Sequence, residues 1–125
     1  MKIYLDDQCD DPEYPNRLTP DGWVGAKNFI EFKATIERAI ASGELIEAMD
    51  FDNDLGEGEM EGNKILDWVA EEYPDLVLGG AEIKIHSANS VARRGMEQQL
   101  ESYRRNEELL RASHQERHPQ GYARK

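Results

Sequence analysis

Two hydrophobic periods take turns along this 125-residue chain. Residues 2–6 alternate briefly, carry the β-favouring Ile3, Tyr4 and Leu5, and end on Asp6 and Asp7, which predicts a first strand. Residues 7–21, with Pro12, Pro15 and Pro20 among acids, predict a loop, and 22–26 a short second strand. Asn28 and Glu31 then stand at N-cap and N3 spacing. Phe29, Phe32, Ile36 and Ile40 follow every three or four residues, so a helix is expected that Gly43 closes. Residues 45–52 predict a third strand. After an acid- and glycine-rich turn at 57–62, a second helix carries Ile65, Leu66, Val69 and Tyr73 on one face and stops at Pro74. Residues 82–86 predict a fourth strand. A third helix starts near Asn89 or Ser90 and runs through Val91, Met96, Leu100 and Tyr103. Beyond Tyr103 the stripe thins to Leu109 and Leu110. The domain is expected to cover 1–112, with 113–125 a flexible charged tail.

Strands alternating with helices predict an α/β fold: a short, mostly parallel sheet of about four strands with helices on both faces. Ligands of such sheets sit beyond the carboxyl ends of the strands. Three of the predicted strands end in polar clusters, Asp6-Asp7, Asp52-Asn53-Asp54 and His86-Ser87-Ala88-Asn89. Asp50, Asp52 and Asp54 are two apart and share a face in an extended chain. Asp6, Asp7, Asp52 and Asp54 brought together would share protons or hold a hard divalent ion. Oxygen ligands favour magnesium, calcium or manganese over zinc. The plainer alternative leaves Asp50 and Asp54 as solvated loop acids, Asp54 opening the turn at Leu55-Gly56. Ser87, Asn89 and Ser90 lead into a helix whose first turns carry Arg93 and Arg94, a set able to cradle phosphate or simply to cap a helix. His86 beside such a cradle could act as a general acid or base; the alternative is a satisfied core histidine.

Composition narrows the partners. The chain has 26 acidic against 15 basic residues, a net charge of −11. Residues 1–89 hold 21 acidic and 7 basic side chains, and residues 90–125 hold 5 and 8. Such a body repels polyanions, so general DNA binding is not expected, and an anionic ligand needs a local cation. Apolar runs of four or five residues are too short to span a bilayer. The acids at Asp6 and Asp7 come too early for a signal peptide, so a cytoplasmic protein is expected. The lone Cys9 supports neither a disulfide framework nor a cysteine zinc site.

The order of the motifs resembles one family. Ile3-Tyr4-Leu5-Asp6-Asp7, Asp52-Asn53-Asp54-Leu55-Gly56, the helix from Glu61-Gly62 to Trp68, and Ile85-His86-Ser87-Ala88-Asn89 with Met96 downstream carry the likeness. Over residues 2–100 they are similar to the cyclic-phosphate-processing receiver-like family, a divergent relative of the response-regulator receiver domain. The resemblance implies a receiver- or flavodoxin-like three-layer sandwich, to which the pattern adds a long C-terminal helix. It also implies action on cyclic phosphates, RNA ends among them, in place of phosphate relay. By position, Asp6 and Asp7 look like the first acid pair, Asp52 and Asp54 like the acids of the second motif, and His86, Ser87 and Asn89 like the third. Two positions depart: the usual middle histidine of the second motif is Asn53, and the proline after the asparagine is Ser90. A relay receiver also needs a lysine after a fifth strand. No fifth strand follows Asn89 and Lys84 precedes the strand end, so relay is not expected.

The expectation is a phosphoesterase acting on a 2′,3′-cyclic nucleotide or an RNA 2′,3′-cyclic phosphate end. His86, Asp52, Asp6 and Asp7 would be catalytic, and Ser87, Asn89, Ser90, Arg93 and Arg94 would hold phosphate. Asp6, Asp7, Asp52 and Asp54 would hold magnesium or manganese. The alternative is a module that sequesters the cyclic nucleotide uncleaved, which Asn53 favours, or one that docks a partner on its third helix.

Overall fold

The computed structural model describes residues 1–119; the end of the expected tail, 120–125, lies outside the described residues. Strands β1 (Lys2–Leu5), β2 (Val24–Ala26), β3 (Ala48–Phe51) and β4 (Glu82–Ile85) form one parallel sheet in the order β2-β1-β3-β4. The α-helices are α1 (Phe29–Ser42), α2 (Gly62–Glu72), α3 (Ser90–Arg105) and α4 (Glu107–Arg117). Among the described residues no helix is long and apolar enough to cross a membrane.

Local chemistry sets the ends of α1. Asn28 Oδ1 accepts from Glu31 N at 3.0 Å, the Glu31 carboxylate accepts from Lys27 N, and Gly43 takes the left-handed conformation at φ 76°. The pleat then sorts the strands. Ile3, Leu5, Met49 and Phe51 point to one face and are fully buried with Phe32, Ile36, Ile65, Leu66 and Met96 of the helices. Each such side chain contributes about 1.5–3 kcal/mol by leaving water. The crossovers β2–α1–β3 and β3–α2–β4 run the same way across the sheet, so right-handedness puts both helices on this face. Phe29 of α1 meets Trp68 of α2 with ring centroids 5.2 Å apart, and Gln99 of α3 donates to Asp67 of α2 at 2.8 Å.

The helices expected on the second face are absent among the described residues, and a loop takes their place. The β1–β2 connection contains only the 3-10 turn Pro15–Arg17, because its prolines lack the amide donors and clash with the turn an α-helix would need. It lies close over β2: a Cβ on Gly25 would stand 2.4 Å from Thr19 Oγ1 and 3.0 Å from Cys9 Sγ. Trp23 meets the Tyr4 ring edge-on at 6.3 Å, with the Lys2 and Lys84 ammonium groups 5.9 and 5.7 Å from its own ring. The layers are therefore helices, sheet and loop.

The expected long C-terminal helix is two helices. Asn106, at φ −114° and ψ 38°, leaves helical geometry, and its side-chain amide donates to Ser102 O at 2.9 Å. The expected boundary at 112 falls inside α4, where His114 is buried and its Nδ1 donates to Glu71 O at 2.9 Å.

Candidate functional site

Parallel register aligns Leu5, Phe51 and Ile85 across the sheet, so the residues that follow them, Asp6, Asp52 and His86, become neighbours at the carboxyl edge. Asp6 is 0% and Asp52 4% exposed. Carboxylates so placed need positive partners, and two are present. Arg17, from the 3-10 turn, grips Asp6 in a fork: Nε donates to Oδ2 at 3.0 Å and Nη2 to Oδ1 at 2.9 Å. Nη2 also lies 3.3 Å from Asp7 Oδ1 and against Asp52 Oδ2, while Nη1 donates to Gln8 Oε1. The second partner is His86, whose Nδ1 lies 2.6 Å from Asp50 Oδ1 and whose Nε2 lies 2.9 Å from Asp6 Oδ2. Its ring stacks on Tyr4 at 4.6 Å and 4°.

These contacts set the protonation states. Burial opposes charge on His86, but the hydrogen bonds to Asp50 and Asp6 outweigh it and raise its pKa to about 9. Burial pushes Asp6 up as well, yet its bonds to His86 and Arg17 hold it below its ordinary value. Asp52 goes the other way, raised by burial and then by the Asp6 charge. Burial also raises Asp7, against the pull of Arg17. Burial, then the charges of Asp6 and Asp50, push the Tyr4 phenol up to about 12, so it stays protonated.

A hollow of about 450 Å³ opens beside the cluster. Asp7, Arg17 and Asp52 line it together with Ser87 and Asn89, and Asn53, Asp54 and Glu61 are also part of the wall. Neither His86 nor Asp6 lines it. Asp54 is exposed and its Oδ1 accepts from Gly56 N at 3.1 Å, closing its own turn. Asn89 Oδ1 accepts from Val91 N and Ala92 N at 3.0 and 3.1 Å, so these amides at the start of α3 are already taken. Ser87 Oγ accepts from Asn89 N at 3.2 Å. Arg93 is exposed, its Nη1 3.4 Å from Ser87 O. Ser90 and Arg94 line a separate hollow on α3 with Val91. The structure thus gathers Asp6, Asp7, Asp52 and His86 next to Ser87 and Asn89, and leaves Ser90 and Arg94 outside.

Asp6, Asp52 and His86 each offer a ligand atom, and these lie within 4.8 Å of one another, so the cluster could hold a metal. The carboxylate oxygens suit a hard ion. His86, donating from both nitrogens, offers no lone pair in this state.

Two further residues shape the site. Asn53 Oδ1 accepts from Asn63 N at 3.0 Å and so caps the start of α2. A Cβ on Gly62 would stand 2.0 Å from Asp52 O, so only glycine lets α2 seat against that strand end. Arg17 is the member of the cluster that the sequence reading missed. The signal was available in the acid balance: buried aspartates call for a cation, and Arg17 is the only basic residue between Lys2 and Lys27.

A family model described as the cyclic-phosphate processing receiver domain matches residues 1–102. The chain belongs to this family. The match takes in all four strands, the acid cluster and the His86-Ser87-Ala88-Asn89 run, and ends within α3. It bears out the resemblance read from the motifs and agrees with the parallel α/β architecture. No curated protein and no solved structure matches this member of the cyclic-phosphate processing receiver family.

Proposed function

We propose that the protein hydrolyses a cyclic phosphate, either a 2′,3′-cyclic nucleotide or the 2′,3′-cyclic phosphate of an RNA end, in the hollow at the carboxyl ends of the strands. The observation that carries this reading is the meeting of Asp52, Asp7 and Arg17 with Ser87 and Asn89 on one hollow, in a chain of the cyclic-phosphate processing family.

Opening the ring requires water on phosphorus, loss of one phosphorus–oxygen bond and transfer of one proton. Asp52 suits the transfer, because it lines the hollow and its raised proton affinity moves it towards the working pH. The water oxygen bonds to phosphorus as the bond to the 2′ or 3′ oxygen breaks. Asp52 takes the proton from water and returns it to the leaving oxygen. The Ser87 hydroxyl and the Asn89 side-chain amide supply donors to the phosphoryl oxygens, with Arg93 beside them. His86 works indirectly: with Asp50 it keeps Asp6 ionised, and Asp6 holds Arg17. Where magnesium or manganese joins the site, Asp6, Asp7 and Asp52 would hold it, and it would supply positive charge for the phosphoryl group.

The test is turnover of 2′,3′- and 3′,5′-cyclic nucleotides and of a short RNA ending in a cyclic phosphate, each with magnesium, with manganese or with chelator. Turnover that falls at least about 100-fold in Asp52→Asn supports the reading, as loss of a positioned proton carrier should. No turnover under any condition overturns it.

A second reading, binding without cleavage, is favoured by Asn53. The position where the family places a histidine caps α2 here, and no histidine lines the hollow. A cyclic phosphate that raises the melting temperature and is recovered intact would establish it.

A further inference from the structure

Arg17 sits where a divalent ion would sit. Its fork covers both oxygens of Asp6 and reaches Asp7 and Asp52; Asp6 and Asp52 belong to the one group whose ligand atoms lie within 4.8 Å of one another among the described residues. The two occupants are mutually exclusive. A divalent ion needs its oxygens at about 2.0–2.6 Å, and a guanidinium bonded to the same lone pairs closes that approach. Arg17 nevertheless has room to leave. Its side chain is 35% exposed, it springs from a loop, and it borders the hollow.

Charge gives the exchange a purpose. With Arg17 turned inward, Asp7, Asp52, Asp54 and Glu61 outnumber it, the one cation lining the hollow among the described residues, and a phosphate is repelled. With an ion on the acids and the guanidinium released, both positive groups are available to an anion. We propose that Arg17 and a divalent cation are alternative occupants of the Asp6–Asp7–Asp52 cluster, and that entry of the ion turns Arg17 outward to hold the substrate's phosphate. The second half rests on the hollow being the phosphate site; the exchange itself does not.

The experiment is isothermal titration of the chelator-treated full chain with Mn²⁺, and then with 2′,3′-cyclic AMP in saturating Mn²⁺, on wild type and Arg17→Ala. Exchange requires opposite signs. Removing the competitor should tighten Mn²⁺ binding at least about tenfold, because uncompensated acids recruit the ion. Losing the guanidinium should weaken the cyclic nucleotide at least about tenfold. A merely structural Arg17 would weaken both ligands or neither, and Mn²⁺ affinity unchanged or lowered in Arg17→Ala overturns the proposal. Should Arg17→Ala fail to fold without metal, Arg17→Gln removes the charge while keeping hydrogen-bond donors for the acids, and the same signs decide. Tighter Mn²⁺ binding, with no cyclic nucleotide bound by wild type, would establish the exchange and overturn the phosphate-holding half along with the cyclic-phosphate reading.

Discussion

At pH 7 His86 is an imidazolium held between Asp50 and Asp6 and stacked on a neutral Tyr4, while Arg17 holds Asp6 and Asp52. Its folded pKa of about 9 stands above the ordinary 6.5, so the folded protein binds this proton more tightly than the unfolded chain does. The stability it contributes is complete below pH 6.5 and is lost as pH rises through about 9, an effect of up to about 3 kcal/mol. Urea midpoints in chelator at pH 6 and pH 9 should show that loss in wild type and a flatter profile in His86→Gln; equal slopes would mean that the imidazole is not charged. Gly62→Ala puts a methyl 2.0 Å from Asp52 O and 2.9 Å from the Asn53 Cα, so backbone must move. It should cost about 1–3 kcal/mol and weaken ligand binding at the hollow; a variant as stable as wild type would contradict that contact. Most of the acids of the site were legible from where the strands end, because parallel register leaves the next residues side by side. The setting of His86 was not, since nothing in its local sequence says that Asp50, from another strand, would take its second nitrogen. Arg17 was hidden for a related reason: its partners are assembled by the sheet, and a proline-rich loop has no periodicity to show which way a side chain turns.

Among the elements, the segment between β1 and β2 departs furthest from what periodicity can show. It reads as a loop and is one, yet it forms a layer of the fold and delivers the cation of the site. Its fit over β2 depends on the missing side chain at Gly25. Gly25→Ala should therefore cost about 1 kcal/mol and loosen Arg17. Because the nearest obstacle is the end of the Thr19 side chain, at 2.4 Å, the double variant with Thr19→Ala should recover part of the loss. Additive losses in denaturant unfolding would argue that the two do not touch. The helices were easier to read: Asn28 and Gly43 bound α1 as their spacing implied, and Asn89 caps α3. The break at Asn106 escaped notice, because the apolar stripe only thins there and asparagine is mild as a helix breaker.

For the molecule as a whole, α/β alternation was enough to reach the sheet and the acid-rich carboxyl edge, while the distribution of helices required the crossover geometry. The four α-helices among the described residues belong to one side: α1 and α2 by crossover hand, α3 through its contact with α2, and α4 through His114 against Glu71. The family match ends before α4, and the hollow contains none of its residues. Truncation after Asn106 should therefore lower the unfolding midpoint, by removing buried His114, and leave ligand affinity within about twofold. A large loss of affinity in a truncated chain that remains folded would tie α4 to the site. The loop-borne arginine also orders events in time. Arg17 is eleven residues from Asp6 and ten from Asp7, but thirty-five from Asp52. Closing a short span costs less entropy than closing a long one, so the N-terminal acids are expected to acquire their counter-charge before Asp52 does. A strand bearing Asp52 that docks after this meets two carboxylates already sharing one guanidinium, so part of the repulsion between bare carboxylates is offset beforehand.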